Sequence, residues 1–279
     1  MDLRAITDGI MTAAEQNVKK QLRDDDYIGD DGFLHCGQCG KARQTKIRIF
    51  GEEKLVWCIC KCRDEELSAH DREKQKDKID ALKQEGFSDP AMRDSVFAAD
   101  SDPDSEESRL CRNYVREFSY FYERGKGLLL TGGVGTGKTF YASCIANALM
   151  ENLHPVLFTS IGRYIRGMEN DFGGMNAKID GLNRYPLVVF DDFGVERNTQ
   201  YVNELVYALI DGRIRSGKPM IITTNIPIAD LKNPGSVEFS RIYDRILSKC
   251  LPVVFNGQNK RRKAIRRDYD EDMDILRGR

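Results

Sequence analysis

Gly132-Gly133-Val134-Gly135-Thr136-Gly137-Lys138-Thr139 has the spacing G-x-x-x-x-G-K-T, and residues of these types at this spacing bind phosphate. Glycines let the backbone curl until successive N–H groups point inward, which makes a nest for an anion. The run Leu128-Leu129-Leu130-Thr131 before it reads as a buried strand, and residues 139–150 after it as a helix whose positive end faces the same anion. In that setting Lys138 reaches the β- and γ-phosphates of ATP, and the Thr139 hydroxyl sits on Mg2+.

Two further strand ends supply the rest of a hydrolytic site. Leu187-Val188-Val189-Phe190 leads into Asp191-Asp192. A strand ending in paired carboxylates, downstream of a P-loop and one intervening strand, places Asp191 to hold Mg2+ through water and Asp192 to orient or activate the attacking water. Met220-Ile221-Ile222-Thr223-Thr224 ends in Asn225. Parallel strands present their C-terminal ends on one edge, so Asn225 can reach the γ-phosphate or the water. On spacing alone the chain is a P-loop ATPase.

A second chemistry lies upstream. Five of the eight cysteines fall between positions 36 and 62: Cys36-x2-Cys39, then Cys58, Cys60 and Cys62 after a spacer of 18 residues. Clustered thiols of this kind in a reduced compartment read as Zn2+ ligands. The spacer holds two strand-like runs, 46–50 and 55–57, around Gly51, and a hairpin there would return the second cluster to the first. Five thiols exceed the four a tetrahedral site takes, so one of Cys58, Cys60 and Cys62 is spare. His35 is a substitute ligand or a bystander. A full set of thiolates leaves no open position on the metal, so the site is structural.

The elements that must position these residues follow from periodicity. Residues 3–22 have apolar positions at three- and four-residue steps, for a helix that packs on its own small domain or binds a partner. Residues 64–85 are densely charged and predict a solvated helix or linker ending at Gly86. An apolar segment, 87–99, and an acidic one, 100–107, come next. Residues 108–124 predict one amphipathic helix, and 161–184 predict a helix broken at Gly173-Gly174. Residues 155–159 and 252–255 add two strands, and 200–215 and 236–247 two helices. Five strands alternating with helices, the first leading into a P-loop, predict an α/β fold with a parallel sheet. Arg241 and Arg245 share a face of the last helix. They make surface salt bridges with acidic neighbours or point at a neighbouring subunit's nucleotide. The run 260–267 carries six cations in eight positions, to grip phosphates or to solvate a helix. Residues 268–279 turn acidic and are expected to be disordered.

The totals set bounds. The chain has 279 residues, 31% of them charged, and a net charge of −1. Nucleic-acid binding would therefore use local basic patches. No apolar run approaches the roughly 20 residues that span a bilayer, and the N-terminus has no signal-peptide core. A cytoplasmic protein without a membrane partner is expected.

Gly132–Thr139, Leu187–Gly194 (LVVFDDFG), Ile221–Pro227 (IITTNIP), Arg241–Ile246 (RIYDRI) and Phe255–Arg262 together resemble the bacterial helicase-loader ATPases of the DnaC/DnaI type. These are close to the IstB transposition helpers within the AAA+ class. The cysteine region also resembles the zinc-binding part of loader-type proteins, phage versions among them. The resemblance implies an AAA+ ATPase over 86–267, behind a partner-binding zinc domain over 1–85. It implies that Asn225 is sensor 1, that Arg245 is an arginine finger with Arg241 beside it, and that Arg261 stands at sensor 2. The implied partners are a hexameric replicative DNA helicase, single-stranded DNA and further copies of the chain in an ATP-dependent oligomer. One position departs from the wider class: many AAA+ enzymes have Glu where this chain has Asp192, and the shorter side chain implies slow turnover. A transposase helper is the alternative from the same resemblance, and a nucleotide-switched zinc adaptor with negligible turnover is a third reading.

Overall fold

A computed structural model describes residues 25–49, 52–58, 60–169, 175–195 and 199–257, with Asn259, Met273 and residues 275–277 beyond. The helix expected over 3–22, the Gly173-Gly174 break and the basic run 260–267 lie outside the described residues. The chain forms two compact units that divide between Asp77 and Lys78.

The first unit is built on two small antiparallel pairs. β1 (Tyr27–Ile28) pairs with β2 (Leu34–His35). β3 (Gln44–Ile49) pairs with β4 (Glu52–Trp57), from Gln44 opposite Trp57 to Ile49 opposite Glu52. This is the hairpin that the spacer predicts. Arg43 and Asp26 form a buried ion pair at 3.1 Å. From this unit α1 (Lys61–Gly86) sets out. Its described side chains are almost all exposed until Leu82, as the density of charge requires.

The second unit is a parallel sheet covered on both faces. Its strands are β5 (Gly127–Gly132), β6 (Val156–Ser160), β7 (Leu187–Phe193), β8 (Met220–Thr224) and β9 (Cys250–Phe255), in the order β6-β7-β8-β5-β9. Strands buried on both faces must be apolar throughout, and the alternation of pleat divides them between two cores. Leu128, Leu130, Val189, Ile221 and Val253 face α4 (Lys138–Glu151). Leu129, Val188, Phe190 and Ile222 face α7 (Gln200–Arg215) and α9 (Val237–Lys249). α5 (Ile161–Glu169), α6 (Met175–Leu182) and the short α8 (Ile228–Lys232) complete the connections. Because β8 lies between β7 and β5 and all three run parallel, their C-terminal ends meet at one edge.

One expectation is corrected. The helix predicted over 108–124 is two, α2 (Glu106–Arg116) and α3 (Phe118–Glu123), divided at Glu117. Glu117 leaves the helical region (φ −99°, ψ 24°). The turn closes the Phe121 ring onto Tyr114 at 4.9 Å and brings Phe118 to 6.0 Å from it. The Tyr114 hydroxyl donates to Lys126 O at 3.1 Å, which draws the helix pair down onto the start of β5.

Arg213 ties the opposite edge of the sheet. It is fully buried, and its guanidinium donates to Tyr185 O at 2.9 Å, Pro186 O at 2.8 Å and Pro219 O at 2.7 Å. Those carbonyls lie just ahead of β7 and β8. Burial lowers the Arg213 pKa to about 10, still charged at neutral pH. Arg213→Met keeps the apolar stem but strands three buried carbonyls. It should lower the unfolding free energy by about 3 kcal/mol in urea denaturation.

Candidate nucleotide site and cysteine centre

The P-loop takes the shape its glycines allow. Gly135 (φ 76°) and Gly137 (φ 105°) hold left-handed backbone that a side chain would strain. A Cβ on Gly135 would also meet the Asn259 side chain. Gly137 caps α4, so Lys138 and Thr139 open the helix. Lys138 is only 5% exposed. Its ammonium donates to Gly132 O at 2.9 Å, Gly133 O at 2.7 Å and Asn225 Oδ1 at 2.8 Å. Thr136 folds back to Gly133 O at 2.9 Å.

The carboxylates come from an irregular strand end. On a regular strand Asp191 and Asp192 would point to opposite faces. Between Phe190 and Phe193, β7 advances three residues while β8 advances two, from Ile222 to Thr224. The extra residue is a bulge, and Asp192 stands in it with φ 54°. Asp191 thereby accepts from Thr139 Oγ1 at 2.9 Å and from Thr223 Oγ1 at 2.6 Å. Asp192 lines the cavity beside them, and its N–H donates to Thr223 Oγ1 at 2.9 Å. Burial pushes the Asp191 carboxyl above its ordinary pKa, against the two hydroxyl donors that favour its charge. A cation held there would relieve that cost, and the donor set of one carboxylate and one hydroxyl fits Mg2+.

These groups surround a cavity of about 430 Å3, lined by the polar Lys138, Thr139, Asp192 and Asn225 and by Ala99, Ser101, Val134 and Phe140. The structure therefore brings Lys138, Thr139, Asp191, Asp192 and Asn225 together. It does not bring Arg241 or Arg245 to them. Arg245 turns onto α7, where its guanidinium lies 2.6 Å from Asp211 and donates to the Tyr207 hydroxyl at 2.7 Å. Arg241 is exposed and lines a separate cavity of about 400 Å3 with Glu204, Tyr207 and Glu238. Arg261 lies outside the described residues. Thr223 is the site residue that sequence reasoning missed. Its signal was a pair of hydroxyls, Thr223 and Thr224, closing an apolar strand, both fully buried in the fold.

In the first unit Cys36, Cys39, Cys60 and Cys62 bring their sulfur atoms within 4.8 Å of one another. Cys60 and Cys62 are 3.2 Å apart and Cys36 and Cys62 3.6 Å. A tetrahedral Zn2+ with bonds near 2.3 Å sets its sulfurs about 3.8 Å apart, so the four thiols fit that ion. Burial opposes charge on Cys36, but the N–H groups of Cys39 and Gln38 and the thiols of Cys60 and Cys62 bring it down to about 7. Cys58 stands outside the four; its N–H donates to Arg43 O at 2.8 Å and closes the base of the hairpin. His35 uses both ring nitrogens elsewhere, on Gly40 O at 2.9 Å and on Asp31 at 2.9 Å, and is a bystander.

A P-loop after β5, which lies between β8 and β9, with carboxylates from the strand two places along in sequence, defines an AAA+-type ATP-binding fold. The chain belongs to the IstB-like ATP-binding protein family, whose model matches residues 61–268. The replicative helicase loader DnaI of Bacillus subtilis (strain 168) is 28% identical over 173 residues, 56% of this chain and 56% of DnaI. The replicative helicase loader DnaC of Escherichia coli (strain K12) is 25% identical over 163 residues, 57% of this chain and 64% of DnaC. The chain thus spans under two thirds of the length of these relatives. A crystal structure of DnaI has the same fold, with a TM-score of 0.52 at 24% identity over 62% of this chain and 94% of that one. Among the described residues no helix is long and apolar enough to cross a membrane.

Two outcomes check these sites. Purified chain should carry about one Zn2+ by elemental analysis, in line with a four-cysteine site; Cys60→Ser should lose it and Cys58→Ser should keep it. Thr223→Val removes one donor to Asp191 and the acceptor of the Asp192 N–H. It should cut ATP turnover at least about tenfold and leave ATP affinity within about twofold, by steady-state assay and fluorescent-nucleotide titration.

Proposed function

We infer that this chain is an ATP-dependent loader of a replicative DNA helicase onto single-stranded DNA. One observation carries the reading: a P-loop nucleotide site whose region resembles the loaders DnaI and DnaC stands in one chain with a four-cysteine unit. The likeness to DnaI and DnaC supports it.

In this reading ATP replaces neutral carbonyls around the Lys138 ammonium with anionic oxygens, and Lys138 lets go of Asn225. Mg2+, when bound, supplies charge neutralisation on the phosphates, and Thr139 and Asp191 are the residues that would hold it. Asp192 orients the attacking water and accepts its proton, with Asn225 as the second contact. Arg245 serves the nucleotide of a neighbouring copy in an ATP-dependent oligomer. For that it must leave Asp211, and Arg241 lies one turn away on the same helix. Arg261 completes the site as sensor 2, and neighbouring cations contact the DNA. Zn2+ holds the first unit together. There Tyr27 and Ile28, 48% and 66% exposed, and Leu55 at 43% offer apolar surface to the helicase.

The family's own description, IstB-like, favours a second reading, a helper ATPase of a DNA transposase. The discriminating experiment is co-elution of the full chain with the host's replicative helicase, in ATP and in ADP. The expected result is a complex that Ile28→Asp weakens at least about tenfold, and ATP turnover that Lys138→Ala abolishes. No complex in either nucleotide would overturn the loader reading and make a transposase the next bait. A complex formed without any measurable turnover would favour the nucleotide-switched adaptor.

A further inference from the structure

Ala99 and Ser101 line the nucleotide cavity, and the residue between them does not. Asp100 has extended backbone (φ −69°, ψ 122°), so its side chain leaves on the face opposite to its neighbours. That side chain is 1% exposed. A carboxylate so buried needs donors. The Tyr141 hydroxyl donates to it at 2.9 Å, the Ser108 hydroxyl at 2.6 Å and the Asp102 N–H at 3.0 Å. The Arg112 guanidinium stands 3.9 Å away.

Tyr141 links this cluster to the phosphate end. It stands one turn after Lys138 on α4, 1% exposed, with its ring 5.5 Å from Phe255 and 5.4 Å from Phe140. Burial pushes its hydroxyl up to about 12, so it remains a donor at neutral pH. The rest of the segment has separate anchors: Asn147 donates to Met92 O at 3.0 Å and Ser95 O at 2.9 Å, and Arg112 to Phe97 O at 2.9 Å. The bond from Tyr141 therefore acts on the stretch that faces the cavity.

Lys138 with Asn225, and Thr139 and Asp192 around Asp191 and Thr223, gather the polar lining, while Ala99, Val134 and Phe140 give apolar walls. Such walls suit the flat face of a purine. We propose that Asp100, through its hydrogen bond from Tyr141, is a positioning residue that sets the wall of Ala99 and Ser101 against the base of the bound nucleotide. The proposal rests on the reading of this cavity as the ATP site and adds the element that fixes its base-binding end.

The test separates base from phosphate. ATP and inorganic tripolyphosphate are each titrated against a fluorescent ATP analogue on the full chain. Tyr141→Phe keeps the ring and removes the donor, and Asp100→Ala removes the acceptor. Each should weaken ATP about tenfold, the size of one hydrogen bond's effect, and leave tripolyphosphate within about twofold. Asp100→Asn, which still offers an acceptor to Tyr141, should keep ATP affinity near that of the parent. Equal weakening of both probes would mean general loosening of the fold and overturn the proposal, as would unchanged ATP affinity in Tyr141→Phe. Failure of the unsubstituted chain to bind either probe would overturn the nucleotide site itself, and the proposal with it.

Discussion

A buried ammonium must find an acceptor for each of its three hydrogens, and much of the second unit can be understood from that demand at Lys138. Two acceptors, Gly132 O and Gly133 O, are main-chain atoms of the P-loop and are available because the loop curls on glycine. The third, Asn225 Oδ1, comes from the end of β8 and is available because β8 lies beside β5. The lysine thus joins loop curvature to strand order. In the proposed ATP-bound state phosphate oxygens compete with these contacts, because anionic acceptors outrank neutral ones.

The carboxylates obey a different constraint. Asp191 is held by two hydroxyls, one from α4 and one from β8, so the P-loop helix and two strands meet on a single side chain. Asp192 reaches the same cavity only by left-handed backbone in a bulge. A non-glycine residue held there costs about 1–2 kcal/mol, and buried strands on both sides hold it against that cost. The strain is confined to the end of one strand, beside an otherwise regular sheet.

How much was legible in the sequence depended on the distance over which each feature is determined. The P-loop, the acidic strand end, Asn225 and the five strands were all readable, because each rests on residues adjacent in the chain. The hairpin was readable from two short runs around one glycine. Which cysteine is spare was not, because it depends on which sulfurs the folded hairpin brings together, and those are Cys36, Cys39, Cys60 and Cys62 without Cys58. The break at Glu117 was hidden by a periodicity that continues through it, and only the stacking of Tyr114 on Phe121 reveals it. Asp100 looked like one more member of an acidic surface run; its donors lie as far as 41 residues along the chain. The contact of Arg245 with Asp211 was invisible for the same reason.

Cys62 lies inside the first turn of α1, and Cys60 directly precedes that helix. A helix so polar gains little from packing along its length, and most of its exposed turns are held only by their own hydrogen bonds. In the proposed zinc-bound form, metal coordination through Cys60 and Cys62 nucleates its N-terminal turn. A chelator would do more than empty a site: the helix would fray from residue 61 onward, and the charged run behind it, rich in lysine and arginine, would open to trypsin.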